Sequence, residues 1–229
     1  LRYWAAAARE PLEGPIAYLD QSHFPTASLE GWRDEGLMGF QANLMRAGLL
    51  PFYLDRFDAK TIGEARLLTI VAPAKQFSSA EIETVRQYLE SGGIVMVSVG
   101  WEESYSSRGL LDAFDIEIVN LPLGWFRLDS PVLGLEAMYW EAWPVRDRSG
   151  KSQIIAAHGE GGEPDKYPLI IVKPVGQGRL IVIGDSNFLK NKNLEGEEQS
   201  NETNIAFLRS LLQYLGLAPK SEAKESGRP

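Results

Sequence analysis

Residues 65–100 read ARLLTIVAPAKQFSSAEIETVRQYLESGGIVMVSVG, and this stretch decides the architecture. ARLLTIVAP is a continuous apolar run, as a strand buried on both faces of a sheet requires. Ser78 and Glu81 then have the spacing of a capping box, and Ile82, Val85, Tyr88 and Leu89 give the following helix one apolar face. Gly92 and Gly93 stop that helix, and IVMVSVG is a second solid apolar run. Strand, helix and strand in this order predict a parallel pair joined by a right-handed crossover.

Working outward, PIAYLD (15–20) reads as a strand. Leu29, Trp32, Leu37, Phe40, Leu44 and Met45 then follow at helical spacing, with Ser28 as the expected cap and Gly48 as the stop. LPFYLDRF (50–57) is a further strand, SYSSRGLLDAFD after Gly100 a helix, and DIEIVN (115–120) the way out of it. Residues 121–150 hold Trp125, Trp140 and Trp143 with several prolines and show no clean period, so they read as an irregular Trp-rich insertion. QIIAAHGEG (153–161), YPLIIVKPVG (167–176) and GRLIVIGDSNFL (178–189) are strands, the last two joined by a tight turn at Gly176–Gly178. Asn204 is the expected cap of a last helix ending at Gly216. The expected organisation is an N-terminal extension (1–14), one α/β domain (15–216) and a polar, disordered tail (217–229).

Composition narrows the function. The chain has 229 residues, 44% of them hydrophobic, enough for a large core. A net charge of −8 repels nucleic-acid backbones and anionic membrane surfaces, so neither is an expected partner. With no cysteine, disulfides, thiolate metal sites and thiol catalysis are all excluded. No run is long and apolar enough to span a bilayer. The first residue is Leu1 rather than Met, and Tyr3 and Trp4 would suit the interfacial edge of a membrane anchor outside this chain.

Ligands of open α/β sheets bind beyond the carboxyl ends of the strands. Four polar clusters are expected there: Asp20 with Ser22 and His23, Trp101 with Glu102 and Glu103, His158 with Glu160, and Asp185 with Ser186 and Asn187. The spacing of Asp20 and His23 lets a carboxylate orient an imidazole, as a general base needs, yet Asp20 could equally cap the loop while His23 fills a polar gap. Glu102 or Glu103 could act as an acid or hold a cation at the turn, or simply complement the dipole of the next helix. Asp185 has a structural alternative too, accepting the backbone N–H groups of the following turn. The carboxylates and histidines lack HExxH or EF-loop spacing, and the glycines around Glu160 lack a phosphate-binding pattern, so neither metal nor cofactor is expected. The three tryptophans could form a platform for a sugar ring or a partner, or belong to the core. KNKNLEGEEQSNETN (190–204) reads as a mobile solvated loop beside the site.

Taken together, YLDQSHF, the 65–100 stretch and GQGRLIVIGDSNFL resemble the class I glutamine amidotransferase-like superfamily over most of residues 15–216. The resemblance is to its non-catalytic branch, found in gliding-motility, ABC-transporter accessory and intraflagellar-transport proteins. Catalytic members bear a cysteine at the turn that here holds Trp101 and Glu102, and a carboxylate cannot take the thiolate's role. The resemblance implies a flavodoxin-like three-layer α/β/α sandwich with a C-terminal β-hairpin. It further implies a non-catalytic module for a glycan or protein subunit, extracytoplasmic and anchored in a bacterial or archaeal membrane. A hydrolase using Asp20 and His23, with Glu102, to activate water is the catalytic alternative. A purely structural assembly domain docking through the Trp-rich region is another.

Overall fold

The computed structural model describes residues 14–219 apart from 28, 29 and 162. The expectations for the extension before Gly14, for Ser28 and Leu29, for Gly162 and for the tail beyond 219 lie outside these residues. Among the described residues no helix is long and apolar enough to cross a membrane.

The chain forms a mixed α/β fold around a mostly parallel seven-stranded sheet of order β2-β1-β3-β4-β11-β10-β9. The strands are β1 (Ile16–Asp20), β2 (Leu50–Leu54), β3 (Ala65–Val71), β4 (Ile94–Ser98), β9 (Gln153–Glu160), β10 (Glu163–Val175) and β11 (Gly178–Ile183). The first four and β11 run parallel, and β10 is antiparallel to both β11 and β9. Helices are α1 (Met38–Arg46), α2 (Ala59–Gly63), α3 (Ser79–Glu90), α4 (Ser104–Asp112) and α5 (Glu202–Tyr214).

Alternation along the buried strands divides the core in two. Ile94 and Met96 of β4 face one cluster with α1, α5 and Tyr139, while Val95 and Val97 face another with α2, α3 and α4. This is the period-two geometry of a strand covered on both faces. The capping box of Ser78 and Glu81 forms as expected and starts α3.

Several elements depart from the sequence expectation. The first helix begins only at Met38, because Gly36 N–H bonds Arg33 O and Met38 N–H bonds Gly31 O, folding 30–37 into turns. Gly36 packs its bare Cα on the backbone of Gly31, where any side chain would collide. The last helix is capped by Asn201, whose side chain accepts from Asn204 N–H, and not by Asn204, which is buried. Leu217 still packs in the core past the expected boundary at 216.

The expected irregular insertion is ordered. It holds β6 (Gly124–Ser130) paired with β7 (Leu135–Ala142), and β8 (Val145–Asp147), which pairs with β5 (Ile116–Ile118) from the segment before it, each antiparallel. Phe126 and Leu128 turn inward against the core while Trp125, Arg127 and Asp129 face out, an alternation of only a few residues that prolines and glycines on either side obscure. The segment after β7 crosses directly over β11: Trp143 N–H bonds Gly184 O, and a methyl on Gly184 would overlap the carbonyl oxygen of Trp143. Gly184→Ala should therefore cost about 3 kcal/mol, read as a lowered denaturation midpoint with an unchanged slope.

Candidate functional site

The strand order reverses between β1 and β3, and their carboxyl ends are where such a sheet opens a crevice. Here the chain closes it. Asp20 ends β1 and is buried; one carboxylate oxygen accepts Ser22 N–H at 3.0 Å and Ser22 Oγ–H at 2.6 Å. The other lies 2.6 Å from His23 Nδ1. His23 has no exposed surface, and its ring stacks on Phe77 at 3.7 Å between centroids and meets Phe57 edge-on at 5.1 Å. Its carbonyl accepts from Ala74 and Lys75, and Thr26 N–H reaches Ala72 O, so the loop after β1 is laced to the end of β3. His23 Nε2 has no hydrogen-bond partner among the described residues and lies 3.6 Å from Glu81 Oε2. Glu81 is already engaged by Ser78 in the α3 cap.

At the end of β4 the turn Gly100–Glu103 leads into α4. Glu103 is buried, and its Oε2 accepts Gly100 N–H at 2.8 Å while its carbonyl accepts from the hydroxyls of Ser106 and Ser107. Burial pushes the Glu103 carboxyl above its ordinary range, opposed by the Gly100 N–H and by the nearby Lys190 ammonium. Glu102 is exposed and makes no hydrogen bond among the described residues, and Trp101 is half-buried at the mouth of a small cleft under α4. A Cβ on Gly100 would press on the Trp143 ring, which covers this turn.

Beyond β11, Asp185 is fully buried and its carboxylate is consumed by the backbone. Oδ2 accepts Trp140 N–H at 2.8 Å and Glu141 N–H at 3.3 Å, and Oδ1 accepts Asn187 N–H at 2.8 Å. Burial raises its pKa, and those three N–H groups oppose the rise. Ser98 Oγ–H bonds the Asp185 carbonyl at 2.6 Å, tying β4 to the same turn. Asn204 continues the pattern, accepting Met138 N–H at 2.7 Å and donating to Met138 O at 2.9 Å. Buried side chains thus satisfy β7 where a neighbouring strand otherwise would. The expected solvated loop at 190–204 is corrected here for its first part: Lys190, Asn191 and Asn193 are buried, because their side chains serve these backbone groups and the turns at 31–39.

At these strand ends Trp140, Glu141 and Lys192 reach solvent; of these Trp140 alone was expected, as part of an aromatic platform. Lys190 and Lys192 each donate to Glu35 at 2.7 Å, and Lys192 Nζ lies 5.7 Å from the Trp140 ring centre. Glu35 starts from a burial penalty that raises its pKa, and the two lysines more than offset it, leaving the carboxyl below its ordinary range. Asn187 donates to Glu141 at 3.0 Å beside them. Trp140, Glu141 and Lys192 therefore form one surface, backed by the buried Asn187 and Lys190, and the charge of Lys190 acts on Glu103. His158 is elsewhere, on β9 at the sheet edge, stacked on Tyr167 and packed on Phe126. No group of three or more histidine and acidic residues that could hold a metal occurs among the described residues.

These features define an α/β domain on a mostly parallel sheet whose strand-end carboxylates are turned inward to the backbone. The chain belongs to the family described as Domain of unknown function (DUF4350), whose model matches residues 35–212. No curated protein matches. Among solved structures, the mmIFT52 N-terminal domain is similar at 16% identity and a TM-score of 0.69, over 90% of this chain and 100% of that one. Cytoplasmic Protein STM3548 from Salmonella typhimurium is similar at 10% identity and 0.56, over 90% and 100%. Exo-beta-1,4-mannosidase Op5Man5 from Opitutaceae bacterium strain TAV5 is similar at 12% and 0.56, over 91% of this chain but 37% of that one. At these identities the likeness concerns the fold alone.

Proposed function

We propose that this chain is a non-catalytic ligand- or partner-binding domain of the glutamine amidotransferase-like type, a flavodoxin-like three-layer sandwich with a C-terminal β-hairpin. The observation that carries the reading is the plugged crevice: where a sheet of this kind receives its ligand, His23 itself fills the space under Phe77. A base sealed from solvent on a carboxylate and two aromatic rings is not open to a substrate whose hydrolysis it could assist. Helices on both faces of the sheet and the antiparallel β10–β11 turn support the finer fold assignment. The lack of cysteine at the β4 turn supports the non-catalytic branch.

The binding surface is then Trp140 with Lys192 and Glu141, an exposed aromatic face beside two hydrogen-bonding groups, as saccharide recognition requires. Such a domain would serve as the part outside the bilayer of a larger membrane-associated protein. The test is tryptophan fluorescence of the chain titrated with oligosaccharides and soluble peptidoglycan fragments. Wild type should respond and Trp140→Ala should not, while its melting temperature stays within about 2 °C. Turnover of chromogenic esters or glycosides that is lost in a folded His23→Gln variant would overturn the reading in favour of the Asp20–His23 hydrolase. Trp125, 58% exposed on the β6–β7 ribbon, favours the second reading, a structural domain that docks another subunit.

A further inference from the structure

On the opposite face of the sheet from Trp140, a half-open cavity of about 460 Å³ lies between the β5–β8 ribbon and the β9–β10 edge of the sheet, within the range of small-molecule sites. Its apolar wall is made by Ile154 and Ile171 of the sheet, by Val119, Leu121 and Pro144 from the segments that flank the ribbon strands, and by Pro168. Four charged residues line it, and three are already neutralised. Arg146 donates to Glu117 at 2.8 Å, Lys166 donates to Glu160 at 2.8 Å, and the Asp147 carboxylate receives the Lys173 ammonium at 2.8 Å. Asp165 at the mouth is exposed and makes no hydrogen bond or ion pair with any described residue.

An apolar chamber with one uncompensated carboxylate at its entrance selects a ligand with the complementary build. We propose that this cavity binds a small amphiphilic amine, its apolar body between Val119 and Ile171 and its ammonium on Asp165. Burying the body supplies the favourable term, and the charge pair sets the orientation and rejects anions. The site is independent of the Trp140 surface, since the two lie against different cores.

Monodansylcadaverine, an apolar ring system bearing a primary ammonium on a five-carbon arm, is the probe, and dansylglycine is its anionic counterpart. Dansyl emission should rise and shift to the blue with the amine and not with the acid. Asp165→Asn should weaken the amine about tenfold, the order expected for one partly exposed charge-assisted contact. Val119→Trp, which fills the chamber, should abolish binding while circular dichroism shows a folded chain; should it fail to fold, Leu121→Gln at the exposed wall takes its place and should weaken binding. No response of folded wild type to the amine overturns the proposal. So does equal binding of the acid, or amine binding indifferent to both Asp165→Asn and the wall variant.

Discussion

Asp185→Ala is expected to lower the stability of this domain by about 4 kcal/mol, because it strips the partner from three backbone donors at once, one buried and two partly buried. Trp140, Glu141 and Asn187 all direct N–H groups at that carboxylate, and no other acceptor stands beside them in the hydrogen-bond pattern. For a domain of this size the melting temperature should fall by about 12 °C. Asp185→Asn should lie between wild type and Ala, since an amide presents one acceptor oxygen and turns its NH2 toward a donor. Thermal melts of the three proteins decide the matter. A melting temperature for Asp185→Ala within a few degrees of wild type would show that the carboxylate is not holding β7 and would return Asp185 to the list of groups free to meet a ligand.

The second large effect concerns Lys173 on β10. Its ammonium is buried, donating to Asp147 at 2.8 Å, to Ser149 Oγ at 2.7 Å and to the Phe114 carbonyl at 2.6 Å, and so pins the β5–β8 ribbon to the sheet. Lys173→Met removes the cation but keeps the apolar stem, leaving a buried carboxylate half-compensated at a cost of about 3–5 kcal/mol. The double variant with Asp147→Asn should recover part of that loss, since the uncompensated charge is then gone.

The same pair sets an acid response. Burial alone would raise the Asp147 carboxyl, but Lys173, Ser149 and Ser152 together hold it well below the ordinary carboxylate range. A group depressed in the folded state contributes its full stability above its unfolded value, near pH 4, and loses it as pH falls through the folded value. Wild type should therefore lose melting temperature between about pH 4 and pH 2, and Lys173→Met should lose less over that interval because its Asp147, still held by Ser149 and Ser152, is depressed less. Melts by circular dichroism across this range read both slopes.

How much of this was legible beforehand differs from element to element. β3, α3 and β4 were readable because each carries its own signal: an apolar block, a capping box, a glycine stop. The β6–β7 ribbon was not, since its alternation is short and its buried face is defined by α5 and by the side chains of Asp185 and Asn204 rather than by neighbours in sequence. The site followed the same division. A spacing of three residues permits the Asp20–His23 hydrogen bond that forms, yet nothing in that spacing shows that Phe57 and Phe77 close over the ring. Lys190 and Glu35 were missed because they meet across 155 residues of chain.

The sequence by itself determined the mostly parallel core and the absence of a thiol nucleophile at the β4 turn, because apolar periodicity and residue identity are local properties. The tertiary structure alone decided that His23 plugs the crevice, that Asp185 serves the backbone of β7, and that Trp140 and Lys192 are left facing solvent. Burial and hydrogen-bond partnership are set by which distant segments come together, and the same carboxylate is a ligand contact or a structural acceptor according to the donors that packing brings to it.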